Sequence, residues 1–137
     1  MAVDLGDART GIAMCDRSEL LASPLAVIEE KSLAKTIEKI VCTAREREAE
    51  MIVMGLPLNM DGTEGARAEK SRQAAQMLRE AMPDMHVEMW DERMTTKAAA
   101  IYLNATDTRG KKRKKAIDAE SAAIILESYL TFRKNSK

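Results

Sequence analysis

The chain has 137 residues, 45% of them apolar and 32% charged, and its 22 basic and 22 acidic side chains cancel to zero net charge. That length is expected to hold one domain, residues 1–137, with almost no room for a second lobe, and the balance is that of a folded chain with a core and not of a disordered one. No apolar run approaches the ~20 residues of a bilayer span, and Met1-Ala2-Val3-Asp4 lacks the regions of a signal peptide, so no membrane association and a cytoplasmic home are expected.

Val3 to Leu5 and Thr10 to Met14 read as two short strands joined by Gly6-Asp7-Ala8-Arg9, and Pro24 to Ile28 reads as a third. The period then changes. Leu33, Ile37, Ile40, Val41 and Ala44 fall on one helical face, with Lys35, Glu38, Lys39 and Arg45 largely opposite. Met51 to Met54 is continuously apolar and is followed by Gly55 and Pro57, the pattern of a strand buried on both faces. After the loop Leu58 to Gly65, the spacing of Ala74, Ala75, Leu78 and Met82 predicts a second amphipathic helix closed by Pro83. His86 to Trp90 reads as a fifth strand. Thr95 can cap a short helix to about Leu103, a basic loop follows, and a last helix is expected from about Asp118 to Phe132 with Ala119, Ala122, Ala123, Leu126 and Leu130 as its stripe. Hairpins first and β-α-β units later make an α/β domain: a mixed five-stranded sheet with helices packed on its faces.

Cys15 and Cys42 lie far apart and form neither a CxxC pair nor a disulfide framework. With one histidine, His86, a zinc site of nitrogen and sulfur ligands is not expected, so any metal must be held by oxygen. His86 itself reads as a core or surface residue of its strand. Charge is segregated along the chain. The segment Arg109-Gly110-Lys111-Lys112-Arg113-Lys114-Lys115 carries six positive charges, and without it 16 basic residues face 22 acidic ones. A compact basic patch on an acidic body suits a polyanion such as nucleic acid, because affinity comes from phosphates neutralised locally. Lys111, Lys112, Arg113 and Lys114 are the candidate contacts, the alternative being a solvated basic loop.

Carboxylates recur at element ends: Asp4 in the first strand, Asp91 and Glu92 leaving the fifth, Asp118 opening the last helix. Ligands of open α/β sheets gather beyond the carboxyl ends of the parallel strands, where groups distant in sequence converge. Clustered carboxylates repel unless a cation is present, and Mg²⁺ or Mn²⁺ suits such oxygen donors. Two such ions about 3.5–4 Å apart can drive in-line displacement at a phosphodiester. Helix caps and strand-end surface charges are the plain alternative, and spacing alone does not choose between them.

Four motifs in order, Asp4-Leu5-Gly6-Asp7-Ala8-Arg9-Thr10-Gly11-Ile12-Ala13, Gly55-Leu56-Pro57-Leu58-Asn59-Met60-Asp61-Gly62, Asp91-Glu92-Arg93-Met94-Thr95-Thr96 and Ile117-Asp118-Ala119-Glu120-Ser121-Ala122-Ala123, resemble the successive motifs of the YqgF or RuvX family over essentially the whole chain. The resemblance implies an RNase H-like fold and hydrolytic cleavage of nucleic acid with Mg²⁺ or Mn²⁺. It implies a role in maturing the 5′ end of 16S ribosomal RNA, and members have also been regarded as Holliday junction resolvases acting on branched DNA. By matching position, Asp4, an acid of the Asp91-Glu92 pair and Asp118 would be the catalytic metal ligands. Neighbours on a strand point to opposite faces, so Asp91 and Glu92 are not expected to share one role, and Glu92 is favoured. The lead Met1-Ala2-Val3 is shorter than is usual in the family. The strand at Met51 ends without an acid, unlike that of the wider group of resolvases, so one ligand must come from the fifth strand.

Arg9, in the hairpin beside Asp4, offers paired donors to a scissile phosphate, or is a turn arginine. Arg93 has two readings, a phosphate contact or a partner of Asp91 or Glu92. The first motif also looks like the phosphate-binding hairpin of the actin, Hsp70 and sugar-kinase ATPases, but those need two lobes, each larger than this chain. A non-catalytic RNA-binding assembly factor is the rival of another class. It would gain nothing from clustered acids facing a polyanion.

Overall fold

The computed structural model describes residues 1–15, 22–94 and 110–135, apart from the side chains of 94, 110–119 and 135. β1 (Ala2–Asp4), β2 (Arg9–Cys15) and β3 (Ala22–Glu29) are antiparallel neighbours. The hairpin between β1 and β2 closes only because residue 6 is glycine: a Cβ there would collide with the carbonyl oxygen of Arg9. Pro24, which has no N–H to give, stands on edge strand β3 where the pairing with β2 shifts register between Ile12 and Ala13.

Helix α1 (Leu33–Glu46) starts at Ser32, whose hydroxyl accepts the Lys35 N–H at 3.4 Å, and buries Ile37, Ile40 and Ala44. β4 (Met51–Leu56) runs two residues past the expected Met54. Its apolar run suits a central strand, paired in parallel with β1 on one side and with β5 (His86–Asp91) on the other. Helix α2 (Ala66–Ala81) connects β4 to β5. The sheet order is β3-β2-β1-β4-β5, the five-stranded mixed sheet expected from the sequence.

Helices cover both faces. Ile37, Ile40 and Ala44 of α1 and Ala74, Ala75 and Leu78 of α2 pack with Val3, Ile12, Ile52, Met54 and Val87 on one face. On the other, Ala122, Ala123, Ile125, Leu126 and Tyr129 of helix α3 (Gly110–Asn135) pack on Ala2, Ala13 and Val53. Each fully buried Ile or Leu there contributes roughly 1.5–3 kcal/mol, and the alanines bring the helix close to the sheet.

One expectation needs correction. Helix α3 spans Gly110–Asn135, so Lys111, Lys112, Arg113 and Lys114 belong to its first turns and not to a loop before it. Lysine and arginine lose little rotamer freedom in a helix, and nothing between Gly110 and Asp118 breaks one. These residues carry no apolar stripe, so hydrophobic periodicity gave no sign of the helix until Asp118. The short helix expected from Thr95 to about Leu103 lies outside the described residues.

Candidate active site

Asp4 is the last residue of β1, half-buried, and follows Ala2 onto the face that α3 covers. It pairs with Gly11 of β2, and the parallel register Ala2↔Val53, Val3↔Met54 carried one step forward sets it level with Gly55 of β4. On the far side of Gly55 stands β5, with Trp90 opposite Gly55 and Asp91 opposite Leu56. Glu92 follows as the first residue of a 3₁₀ turn, Glu92–Met94.

Gly55 organises this end of the sheet. A Cβ on it would lie 3.0 Å from Glu92 Oε1, 3.1 Å from Glu92 Cδ and 2.8 Å from Ile125 Cδ1 of α3. The Glu92 carboxyl is therefore packed over the bare backbone of β4, under α3 and on the face to which Asp4 belongs. β1 and β5 are two strand spacings apart, roughly 9–10 Å. The Glu92 carboxyl thus fills the space over Gly55 on the face to which Asp4 belongs, and carboxylate oxygens are the donors that suit a hard divalent cation. Asp118 lies in α3 one helical turn before Ala122, which is fully buried against the sheet; the Asp118 side chain is outside the described residues. Among the described residues no three histidine, cysteine, aspartate or glutamate side chains form a metal-holding group.

Asp91 is placed differently. It follows Val87 and Met89 onto the face of α1 and α2, and Arg93 engages it. The Arg93 backbone N–H donates to Asp91 Oδ1 at 2.9 Å, its Nε to Oδ1 and Oδ2 at 3.1 and 3.0 Å, and its Nη2 to Oδ2 at 2.7 Å. The guanidinium holds the Asp91 carboxyl below the usual aspartate range, and Asp91 in turn pushes Arg93 up. Of the two readings open for Arg93, the structure shows the ion pair.

Arg9 opens β2, half-buried and opposite Glu29 of β3, and shares the α3-side face with Gly11, the cross-strand neighbour of Asp4. Lys111, Lys112, Arg113 and Lys114 lie in the turns of α3 before Asp118, with side chains outside the described residues. His86 is exposed at the start of β5, the opposite end from Glu92, with Nε2 3.5 Å from Glu88 Oε2.

Two features went unnoticed in the sequence. Gly55 looked like a strand terminator and is instead the floor beneath Glu92. Glu120, two residues past Asp118, has a buried Oε2 without a hydrogen-bond partner, and burial raises its pKa. Its only sequence signal is an acid two residues from another at the start of an apolar stripe.

The same arrangement of elements occurs in solved structures. Thermus thermophilus RuvC aligns with a TM-score of 0.61 at 12% identity, covering 97% of this chain and 94% of that one. T. thermophilus RuvC in complex with a Holliday junction substrate aligns at 0.62 and 11%, covering 98% and 94%. Fowlpox virus resolvase with its junction DNA aligns at 0.57 and 9%, covering 96% and 95%. The fold is thus the RuvC-like RNase H fold. In sequence, the chain is 39% identical over 136 residues to a Clostridioides difficile protein named "Putative pre-16S rRNA nuclease", covering 99% of this chain and 96% of the relative. A Halothermothrix orenii protein of the same name is 39% identical over 133 residues, covering 97% and 94%. A family model described as "RuvX: Holliday junction resolvase" matches residues 1–132. By this match and these relatives, the chain belongs to the RuvX family.

Proposed function

We propose that this protein is a metal-dependent nuclease that hydrolyses phosphodiester bonds, acting in the cytoplasm on the 5′ end of the 16S ribosomal RNA precursor. The observation that carries the reading is the Glu92 carboxyl lying over Gly55 with Asp4 across the same glycine. The names of its relatives support the RNA substrate. Asp4, Glu92 and Asp118 would hold Mg²⁺ or Mn²⁺. A bound divalent ion supplies Lewis acidity to the reacting phosphate and a water activated for in-line attack.

The rest is the work of this chain's own residues. Asp4 ends β1 and Glu92 directly follows β5, two parallel-running strands of one sheet with β4 between them. Arg9, on the same face, would meet the scissile phosphate with its paired donors. The basic first turns of α3 bring positive charge next to Asp118, offsetting repulsion between the polyanion and the acidic body. Among the described residues, no helix is long and apolar enough to cross a membrane.

A second reading, cleavage of branched DNA, is favoured by the family description and by a fold shared with resolvases solved on junctions. Labelled 16S precursor and a four-way DNA junction, each incubated with the pure protein and Mg²⁺, Mn²⁺ or chelator, separate the two. A protein that binds the precursor tightly and cuts neither would be an assembly factor.

A further inference from the structure

A solitary exposed apolar side chain ordinarily needs no explanation. Met60, 90% exposed, differs in how it is held. It stands at the second position of a tight turn in which the Gly62 N–H donates to the Asn59 carbonyl at 2.9 Å, with Gly62 at φ +89°, where glycine is favoured. The Asn59 N–H donates to the Thr63 carbonyl at 2.9 Å, and Thr63 returns its N–H and hydroxyl to Asp61 Oδ1 at 3.0 and 2.6 Å. Below the turn, Leu58 and Glu64 form an antiparallel bridge. The loop spends its polar groups on itself and presents a thioether to solvent.

This turn also lies against Arg93. Arg93 Nη1 lies 3.4 Å from where a Cβ on Gly62 would be, and Asp91 grips the same guanidinium one residue before Glu92. Met60 is therefore carried on an internally hydrogen-bonded turn that lies against Arg93, in the loop that leaves β4 just past Gly55. The tip itself is unsuited to phosphate: Asp61 is acidic, and the charge of Arg93 is already answered by Asp91. An apolar tip of this kind suits the faces of bases, and methionine is among the side chains that wedge between base steps, unstacking and kinking the strand.

We propose that Met60 is a wedge that inserts between adjacent bases of the nucleic-acid substrate beside the scissile phosphate and holds that step open over the carboxylates. The proposal deepens the nuclease reading and rests on it. It makes Met60 a positioning residue, contributing binding energy at a base step while the acids act on the phosphate.

The test uses the full chain with two probes, a four-way DNA junction and an RNA duplex with a single-stranded 5′ extension. Once the cleaved bond is mapped, each carries 2-aminopurine on either side of it, and Ca²⁺ replaces Mg²⁺ to observe binding without turnover. Wild type should raise the fluorescence of the probe it cuts at one base step. Met60→Ala should lose that rise and about tenfold in kcat/KM, while Met60→Leu keeps both. Because Met60 is exposed, neither variant should alter thermal unfolding. Cleavage by wild type without any rise, or Met60→Ala matching wild type in both readouts, overturns the wedge and leaves the nuclease intact. A wild-type protein that cuts neither probe overturns the nuclease reading and the wedge with it.

Discussion

The carboxyl of Glu92 occupies space beside β4 that exists because Gly55 has no side chain; a Cβ there would stand 3.0 Å from Glu92 Oε1 and 2.8 Å from Ile125 Cδ1. Gly55→Ala should therefore displace the tip of Ile125 or the Glu92 carboxyl. Overpacking of this kind costs typically about 1–3 kcal/mol of stability. Cleavage should fall more than stability does, with a higher Mg²⁺ concentration needed for half-maximal rate. Metal titrations of the cleavage rate, with thermal unfolding alongside, check this.

Asp91 and Glu92 are neighbours with different partners, one gripped by Arg93 and the other packed over Gly55. Glu92→Gln should lower kcat by orders of magnitude, as expected for loss of a metal ligand. Asp91→Asn should cost much less, through a loosened Arg93 and turn. Single-turnover rates of the two variants decide it, and equal losses would mean that Asp91 also reaches the metal.

The Asp91–Arg93 pair has a defined pH signature. Arg93 lowers the folded-state pKa of Asp91 below the ordinary aspartate value of 3.8, so the stability it adds is present above that value and is lost as pH falls through the lower folded pKa. Arg93→Ala should lower Tm slightly at neutral pH, since both groups are partly exposed and solvent screens the pair. That difference from wild type should close below pH 3.8. Melting curves across an acid series measure it.

Changing Lys111, Lys112, Arg113 and Lys114 together to alanine keeps α3, because alanine is the best helix former. Binding should weaken about equally for all sequences, and each lost phosphate contact should remove on the order of 0.7 to 0.9 from the slope of log K against log salt. The rate at saturating substrate should change much less than affinity, because the contact is made in ground and transition states alike. Binding isotherms at several salt concentrations provide the slope.

The fold was legible where burial imposes a period. Ile37, Ile40 and Ala44 spelled out α1, and Ile52 to Met54 spelled out a strand enclosed on both sides. Position 110 was illegible as a helix start because lysine and arginine report propensity without a buried face. The four motifs named the candidate acids but not their arrangement: whether Asp91 or Glu92 faces Asp4 depends on where β5 ends and on which acid Arg93 takes. Gly55 carried the weakest signal, since an absent side chain marks a strand end as readily as a floor for another residue's carboxyl.

The most direct test is cleavage of the 5′-labelled 16S precursor by wild type, Asp4→Asn and Asp118→Asn, each with Mg²⁺ and with excess chelator. The account predicts cutting by wild type only with metal, losses of orders of magnitude in both variants, and precursor binding that is retained or tightened as anionic repulsion falls. Undiminished cleavage in chelator, or wild-type rates in either variant, would contradict it and leave these acids as caps and surface charges.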